Sequence, residues 1–319
     1  MNDSVLIRKL KDHIKLNKNS LFYGKKLTNI QSKLVSSRNK RKVFKFRLYF
    51  ADSSNKTLYA KIYPNESILE KEYVSLSLVN SLVNHAYYFT PKVMAIFREM
   101  NALLMEEVRG KKYIYKFLVQ SLPFLRILFI KQIKKELGKI VEWLNYFEEK
   151  TFVKQEKISK KEIEKIKNNL FNLDLNVDDK EIIWKKFMNL LNKVEKLPLI
   201  GVHKDFALRN IIIEKWSIAV VDFDKFSYSK FLDSFNCLII NLYQKKIYLL
   251  YSENYLSELK TFLIAKYING SELPINSAIL RLTYMINIIN HLNNVQKHRS
   301  SRHMIERRIF LNELSAIGS

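Results

Sequence analysis

The stretch Val202–Lys225, VHKDFALRNIIIEKWSIAVVDFDK, constrains this chain more than any other. His203, Asp205 and Asn210 fall in one short loop within an otherwise apolar ribbon, and Asp222 follows twelve residues after Asn210. The β-branched runs Ile211–Ile213 and Ile218–Val221 are separated only by Glu214, Lys215, Trp216 and Ser217. That pattern predicts a tight hairpin with buried faces. Such a hairpin returns Asp222 to the loop carrying Asp205 and Asn210. Two carboxylates and an amide oxygen are hard ligands of the kind Mg²⁺ takes, commonly shared with substrate phosphates.

HKDFALRN followed by VVDFD resembles the H-x-D-x-x-x-x-N and D-x-D pair of the aminoglycoside/choline kinase-like phosphotransferases, a branch of the protein kinase fold. The resemblance implies an α+β, two-lobed protein kinase-like fold, with a β-rich N-lobe and a mainly helical C-lobe. It implies ATP and Mg²⁺ as cofactors. Asp205 then orients the acceptor hydroxyl and takes its proton, while Asn210 and Asp222 hold the metal. Lys61, in LYAKIYP, becomes the lysine on the α- and β-phosphates, braced by Glu72, with Glu70 the exposed alternative. Ser36-Ser37-Arg38-Asn39 becomes the loop between two strands that covers the phosphates. It carries no glycine, so Ser37 and its neighbours serve in place of one. LLMEEVRG resembles the hinge, with backbone groups of Glu106–Val108 meeting the adenine edge and Gly110 freeing the chain to leave the sheet. His203 is architectural in this reading, and Asp233 braces the catalytic loop from below. Lys204 stands where glycine is commonest. Asp224, two residues after Asp222, either assists the site or sits in a solvated turn.

Composition narrows the alternatives. The 319 residues are 47% hydrophobic and 13% aromatic, which excludes a disordered chain. Six glycines and five prolines leave little room for long flexible linkers. The single Cys237 lies in an apolar run, so a buried, inert thiol and a cytoplasmic setting are expected. No stretch has the length of a membrane span. The apolar run Leu122–Ile130 is short and broken by Arg126. Lysine and arginine exceed aspartate and glutamate by 55 to 31, a net charge of +24. That charge raises nucleic acid, a peripheral membrane contact or an anionic substrate as partners, but the cations are dispersed along the chain.

Taken in order, residues 1–21 are expected as an N-terminal helix. Leu6, Leu10 and Ile14 form one apolar stripe, which either packs on the neighbouring lobe or rests on a membrane surface. Residues 22–110 form the nucleotide-binding N-lobe. In it, Phe44, Phe46, Leu48 and Phe50 alternate with Lys45, Arg47 and Tyr49, and a helix covers Ser67–Leu82. Residues 111–319 form the helical C-lobe, which carries the catalytic loop and the metal-binding hairpin. Its helices are expected over Ile133–Phe147, Lys157–Asn169, Asp178–Val194, Asp233–Leu249, Leu256–Ile268, Asn276–Leu292 and Arg302–Leu314. Leu197–Gly201 reads as a break that delivers the loop. KHRSSRHMIERR, residues 297–308, is the densest basic cluster.

The function implied by the resemblance is transfer of the γ-phosphoryl group of ATP to a hydroxyl of a small molecule. The basic charge tilts the acceptor toward a sugar or a glycan- or lipid-linked intermediate. Protein substrates are disfavoured, because neither D-F-G nor A-P-E is present. The rival is a non-catalytic kinase-like module that binds an anionic partner through its basic face.

Overall fold

The computed structural model describes residues 3–38, 40–83, 85–215, 217–245, 252–297 and 301–317. The chain divides into two compact units: Met1–Lys111 with Ile212–Asp224, and Lys112–Ile211 with Lys225–Ser319.

The first unit opens with α1 (Asp3–Leu16) and α2 (Lys18–Phe22). Three antiparallel strands follow: β1 (Leu27–Arg38), β2 (Arg41–Phe50) and β3 (Asn55–Ile62). Next come α3 (Glu66–Leu82), β4 (Tyr88–Phe89), β5 (Val93–Phe97), β6 (Ala102–Glu106) and the short β7 (Lys111–Lys112). The main sheet has the order β1-β2-β3-β6-β5. Side chains two apart on a strand share a face, so Phe44, Phe46, Leu48 and Phe50 of β2 enter one core with Leu58, Ala60 and Ile62 of β3. Leu6, Leu10 and Ile14 of α1 belong to that same core. The apolar stripe of the first helix is therefore spent on its own sheet and not on a membrane. The Asn65 side chain accepts from the Ile68 N–H and starts α3 one residue earlier than expected.

In the second unit, α4 (Tyr113–Gln120) and the long α5 (Arg126–Lys150) precede β8 (Lys154–Glu156), α6 (Lys160–Phe171), α7 (Val177–Leu191) and β9 (Leu197–His203). The chain then crosses to the first unit as the hairpin β10 (Ile211–Glu214) and β11 (Ser217–Val220), part of a sheet ordered β4-β11-β10-β7. It returns as β12 (Phe226–Ser229), α8 (Asp233–Gln244), α9 (Glu253–Gly270), α10 (Ser277–Val295) and α11 (Ser301–Ala316). Leu197–Gly201, expected as a break, is a strand between β8 and β12. Gly201 allows it: a Cβ there would sit 2.8 Å from Thr151 Cβ and 2.9 Å from the Phe226 ring. The end of the expected helix Asp233–Leu249 and residues 298–300 of the basic cluster lie outside the described residues.

Helix α8 is buried along almost its whole length and packs against α5, α9, α10 and β9. Trp143 of α5 is core, as expected, stacked on Phe147 and Phe206. Beside it α5 buries a carboxyl. Glu148 is fully buried, accepts from the Tyr267 hydroxyl through one oxygen, and has no partner for the other. Burial pushes its pKa up to about 8.

The consequence is a pH-dependent stability with a defined sign. Between the unfolded value of 4.5 and about 8 the folded chain holds a proton that the unfolded chain releases. Stability then falls as pH rises through that window, by at most about 5 kcal/mol. Denaturant titrations across that range are expected to show the fall, and Glu148→Gln should flatten it. An equal slope in the variant would mean that Glu148 is ionised in the fold.

Candidate active site

In the first unit the site grows from the pleat of β3. Leu58, Ala60 and Ile62 point into the core, so Lys61 points to the opposite face. There its Nζ meets both carboxylate oxygens of Glu72 on α3, at 3.0 and 2.8 Å, and also donates to Asp222. Lys61 is 9% exposed and Glu72 2%. Glu72, not Glu70, is the brace; Glu70 pairs instead with exposed Arg98. Burial works against the charged form of both groups. For Lys61, Glu72 and Asp222 outweigh it, so the ammonium pKa is raised and the charge is kept. For Glu72, burial and the charge of Asp222 outweigh Lys61, and its pKa is raised as well.

Asp222 lies just past β11 with φ of 72°, a left-handed conformation that costs a non-glycine residue free energy. The chain then tightens into a 3-10 turn, Phe223–Lys225. Asp224 is therefore not on a strand end sharing a face with Asp222, nor in a solvated turn. It is buried and accepts from Arg41 Nη1 at 2.6 Å. Arg41 begins β2, and sequence reasoning missed it. Burial opposes its charge, but the hydrogen bond and charge of Asp224, then Asp222 and Glu72, raise its pKa. The only signal was a run of cations where the family loop has glycine.

Ser37 does not join this cluster. Ser36–Arg38 belong to β1, with Ser37 exposed and opposite Lys42 of β2. Asn39 lies outside the described residues. At the proposed hinge, the N–H groups of Glu106 and Glu107 are used by Lys92 and Thr57 carbonyls, and their side chains pair with Lys56 and Lys45. The Val108 N–H has no partner among the described residues. Gly110, at φ of 114°, lets the chain pass so close to β10 that a Cβ would lie 2.6 Å from the Ile213 carbonyl oxygen.

The second unit carries the loop after β9. Asn210 sits on a 3-10 turn, Leu208–Asn210, and its amide nitrogen donates to Asp205 through the backbone oxygen at 2.9 Å and Oδ2 at 3.1 Å. Its Oδ1 is thereby left as an acceptor. Arg209 pairs with the other Asp205 oxygen. His203 is 1% exposed and architectural: its Nδ1 accepts from the Asp205 N–H at 3.2 Å, and its backbone N–H donates to Ser234 at 2.8 Å. The Leu208 N–H donates to Asn241. Ser234 and Asn241 of α8 thus make the bracing bonds expected of Asp233. Burial, then the Asp205 charge, push the Cys237 thiol up to about 12, which keeps it inert.

No group of three or more His, Cys, Asp or Glu suited to a metal occurs among the described residues. Taken singly, the Asp222 carboxylate and the Asn210 amide oxygen are hard donors of the type Mg²⁺ takes, and Mg²⁺ binds few protein oxygens.

No family model and no curated protein matches the chain. Solved structures do. Macrolide 2'-phosphotransferase MphH from Brachybacterium faecium aligns over 97% of this chain and 98% of its own, with TM-score 0.53 and 10% identity. Choline kinase from Cryptosporidium parvum Iowa II aligns over 96% and 94%, with TM-score 0.54 and 13% identity. Amicoumacin kinase hAmiN in complex with AMP-PNP, Ca²⁺ and Ami aligns over 98% and 96%, with TM-score 0.50 and 14% identity. The chain has the protein kinase-like fold shared by these phosphotransferases.

Proposed function

We propose that this protein is an ATP- and metal-dependent phosphotransferase that moves the γ-phosphoryl group to a hydroxyl of a small molecule. The observation that carries the reading is the buried bond of Lys61 to Glu72 with Asp222 on the same ammonium. Holding an ammonium at 9% exposure against two carboxylates is costly to build for structure alone. It is useful where a phosphate will take up the charge. The fold neighbours add support, since they include kinases and phosphotransferases of small molecules, one in complex with AMP-PNP and Ca²⁺.

Each residue has a task in that reaction. Lys61, kept charged and aimed by Glu72, binds the α- and β-phosphates. Arg41, on the glycine-free hairpin, adds a second cation at the phosphates when it leaves Asp224. Val108 offers its N–H to the adenine edge. Asp222 and the Oδ1 of Asn210 each offer Mg²⁺ a hard oxygen. The metal would neutralise charge on the phosphoryl oxygens. Asp205, aligned by Asn210 and Arg209, orients the acceptor hydroxyl and takes its proton as the oxygen–phosphorus bond forms and ADP leaves. Exposed Lys204 and Arg209 flank Asp205 and repel cationic amines. That favours a neutral or anionic acceptor, a sugar or a glycan- or lipid-linked hydroxyl, over an aminoglycoside or choline.

Three outcomes are expected. Mg·ATP at about a hundred times its Kd should stabilise the native chain by about 2.7 kcal/mol in a thermal-shift titration, and Asp222→Ala should lose the metal-dependent part. Asp205→Asn should keep that stabilisation while turnover falls by about 10²–10⁴-fold. Arg41→Gln should raise KM for ATP by about tenfold, the scale of one charge-assisted hydrogen bond, with a smaller change in kcat. Absence of any Mg·ATP response, with salt-dependent affinity for nucleic acid, would return the non-catalytic reading.

A further inference from the structure

The segment from Lys112 to Lys135 carries six basic residues and no acidic one, interleaved with large apolar side chains. The structure turns many of those side chains outward. Phe124, Ile127 and Leu128 are 71%, 77% and 75% exposed, and Tyr115 and Val119 of α4 are also exposed. They are not on a loose loop. The Arg126 N–H donates to the Leu122 carbonyl at 2.8 Å, and the Leu128 and Phe129 N–H groups to Leu125, so consecutive hydrogen-bonded turns fix the start of α5. The opposite side of α5 is occupied by buried Ile133, Leu137, Ile140, Val141 and Leu144. Within α5, steps of three and four residues run from Ile127 and Leu128 to Lys131 and Lys135, so one stripe begins apolar and continues basic, with exposed Phe124 on the turn just before it. Lone exposed apolar residues are ordinary, but a cluster rimmed by cations marks a contact surface.

We propose that this face, the α4–α5 junction with its basic continuation, docks on an anionic lipid bilayer. Phe124, Ile127 and Leu128 enter the boundary between headgroups and acyl chains, while Lys131 and Lys135 meet lipid phosphates. No described helix is long and apolar enough to cross a membrane, so the segment lies in the interface. Charge argues against a second copy as the occupant: Lys116 and Lys134 are already paired with Glu136 and Glu258, so two such faces would bring Lys131 and Lys135 against their own counterparts. The net charge of +24 draws the chain toward an anionic surface. Helix α4 also packs on the turn that carries Asn210, so the docked face adjoins the catalytic loop of its own unit. The inference stands on exposure and charge and does not require the phosphotransferase reading.

The test is co-sedimentation of the full chain with vesicles of phosphatidylcholine and phosphatidylglycerol in equal parts, against phosphatidylcholine alone. The native chain should pellet with the mixed vesicles, far less with phosphatidylcholine, and less at high salt. The triple variant Phe124→Ser, Ile127→Ser, Leu128→Ser should bind the mixed vesicles more than about tenfold more weakly with an unchanged melting midpoint. As a second readout that tolerates a destabilised triple variant, a tryptophan introduced by Leu128→Trp should shift its emission to the blue on adding mixed vesicles. No pelleting of the native chain, equal pelleting of the triple variant, or no emission shift overturns the proposal. So does a concentration-dependent dimer that the triple variant abolishes without any vesicle binding, which would assign the face to a second copy. An acidic protein displacing no vesicle-bound chain supports it; one that binds this face while vesicles do not overturns it.

Discussion

The first unit depends on one buried ammonium. Lys61 is placed by the alternation of β3, and Glu72 by the helix that follows it. Neither group would be tolerated there alone, since a buried ion without a partner is among the costliest arrangements a fold can hold. Their pairing therefore fixes α3 against the sheet. It also gives the hairpin of β10 and β11 a target, because the carboxylate of Asp222 completes the set. The cluster sets three carboxylates, Glu72, Asp222 and Asp224, against the two cations Lys61 and Arg41.

The second unit solves a different problem, the rigidity of a loop. Asp205 sits where backbone, imidazole and amide groups all bond one another. His203 accepts from Asp205, Asn210 donates to it, and α8 supplies Ser234 and Asn241 from below. A helix buried on nearly all sides is a firm base for such bonds, because its side chains have no solvent-filled space into which to rearrange. Glu148 marks the cost of that dense interior: a carboxyl with one hydrogen-bond partner, kept by holding its proton.

Charge and apolar exposure meet at α4 and the start of α5. The N-terminal helix carried the more obvious amphipathic pattern, yet it gives its stripe to the β-sheet core. The face left outward belongs instead to the segment of the short apolar run Leu122–Ile130. That surface is held by the hydrogen-bonded start of α5, and α4 packs beside the turn bearing Asn210.

The sequence by itself determined the parts that rest on local periodicity and fixed spacing. The alternation of Phe44, Phe46, Leu48 and Phe50 specified a half-buried strand, and HKDFALRN with VVDFD specified the loop and hairpin. Glu72 was separable from Glu70 because its spacing to Leu76 and Leu78 resembles the family pattern. What the sequence left undecided depended on partners distant along the chain. Arg41 meets Asp224 across 183 positions, so no local pattern could announce it. Ser234 replaced Asp233 as the brace because a one-residue step along a helix rotates the side chain by about 100°, and only the packed helix fixes which of the two faces the loop. Leu197–Gly201 became a strand because two neighbours were there to pair with it. Tertiary structure alone decided that the Leu6, Leu10 and Ile14 stripe is buried, since an amphipathic pattern does not say what covers it and here the β-sheet core does.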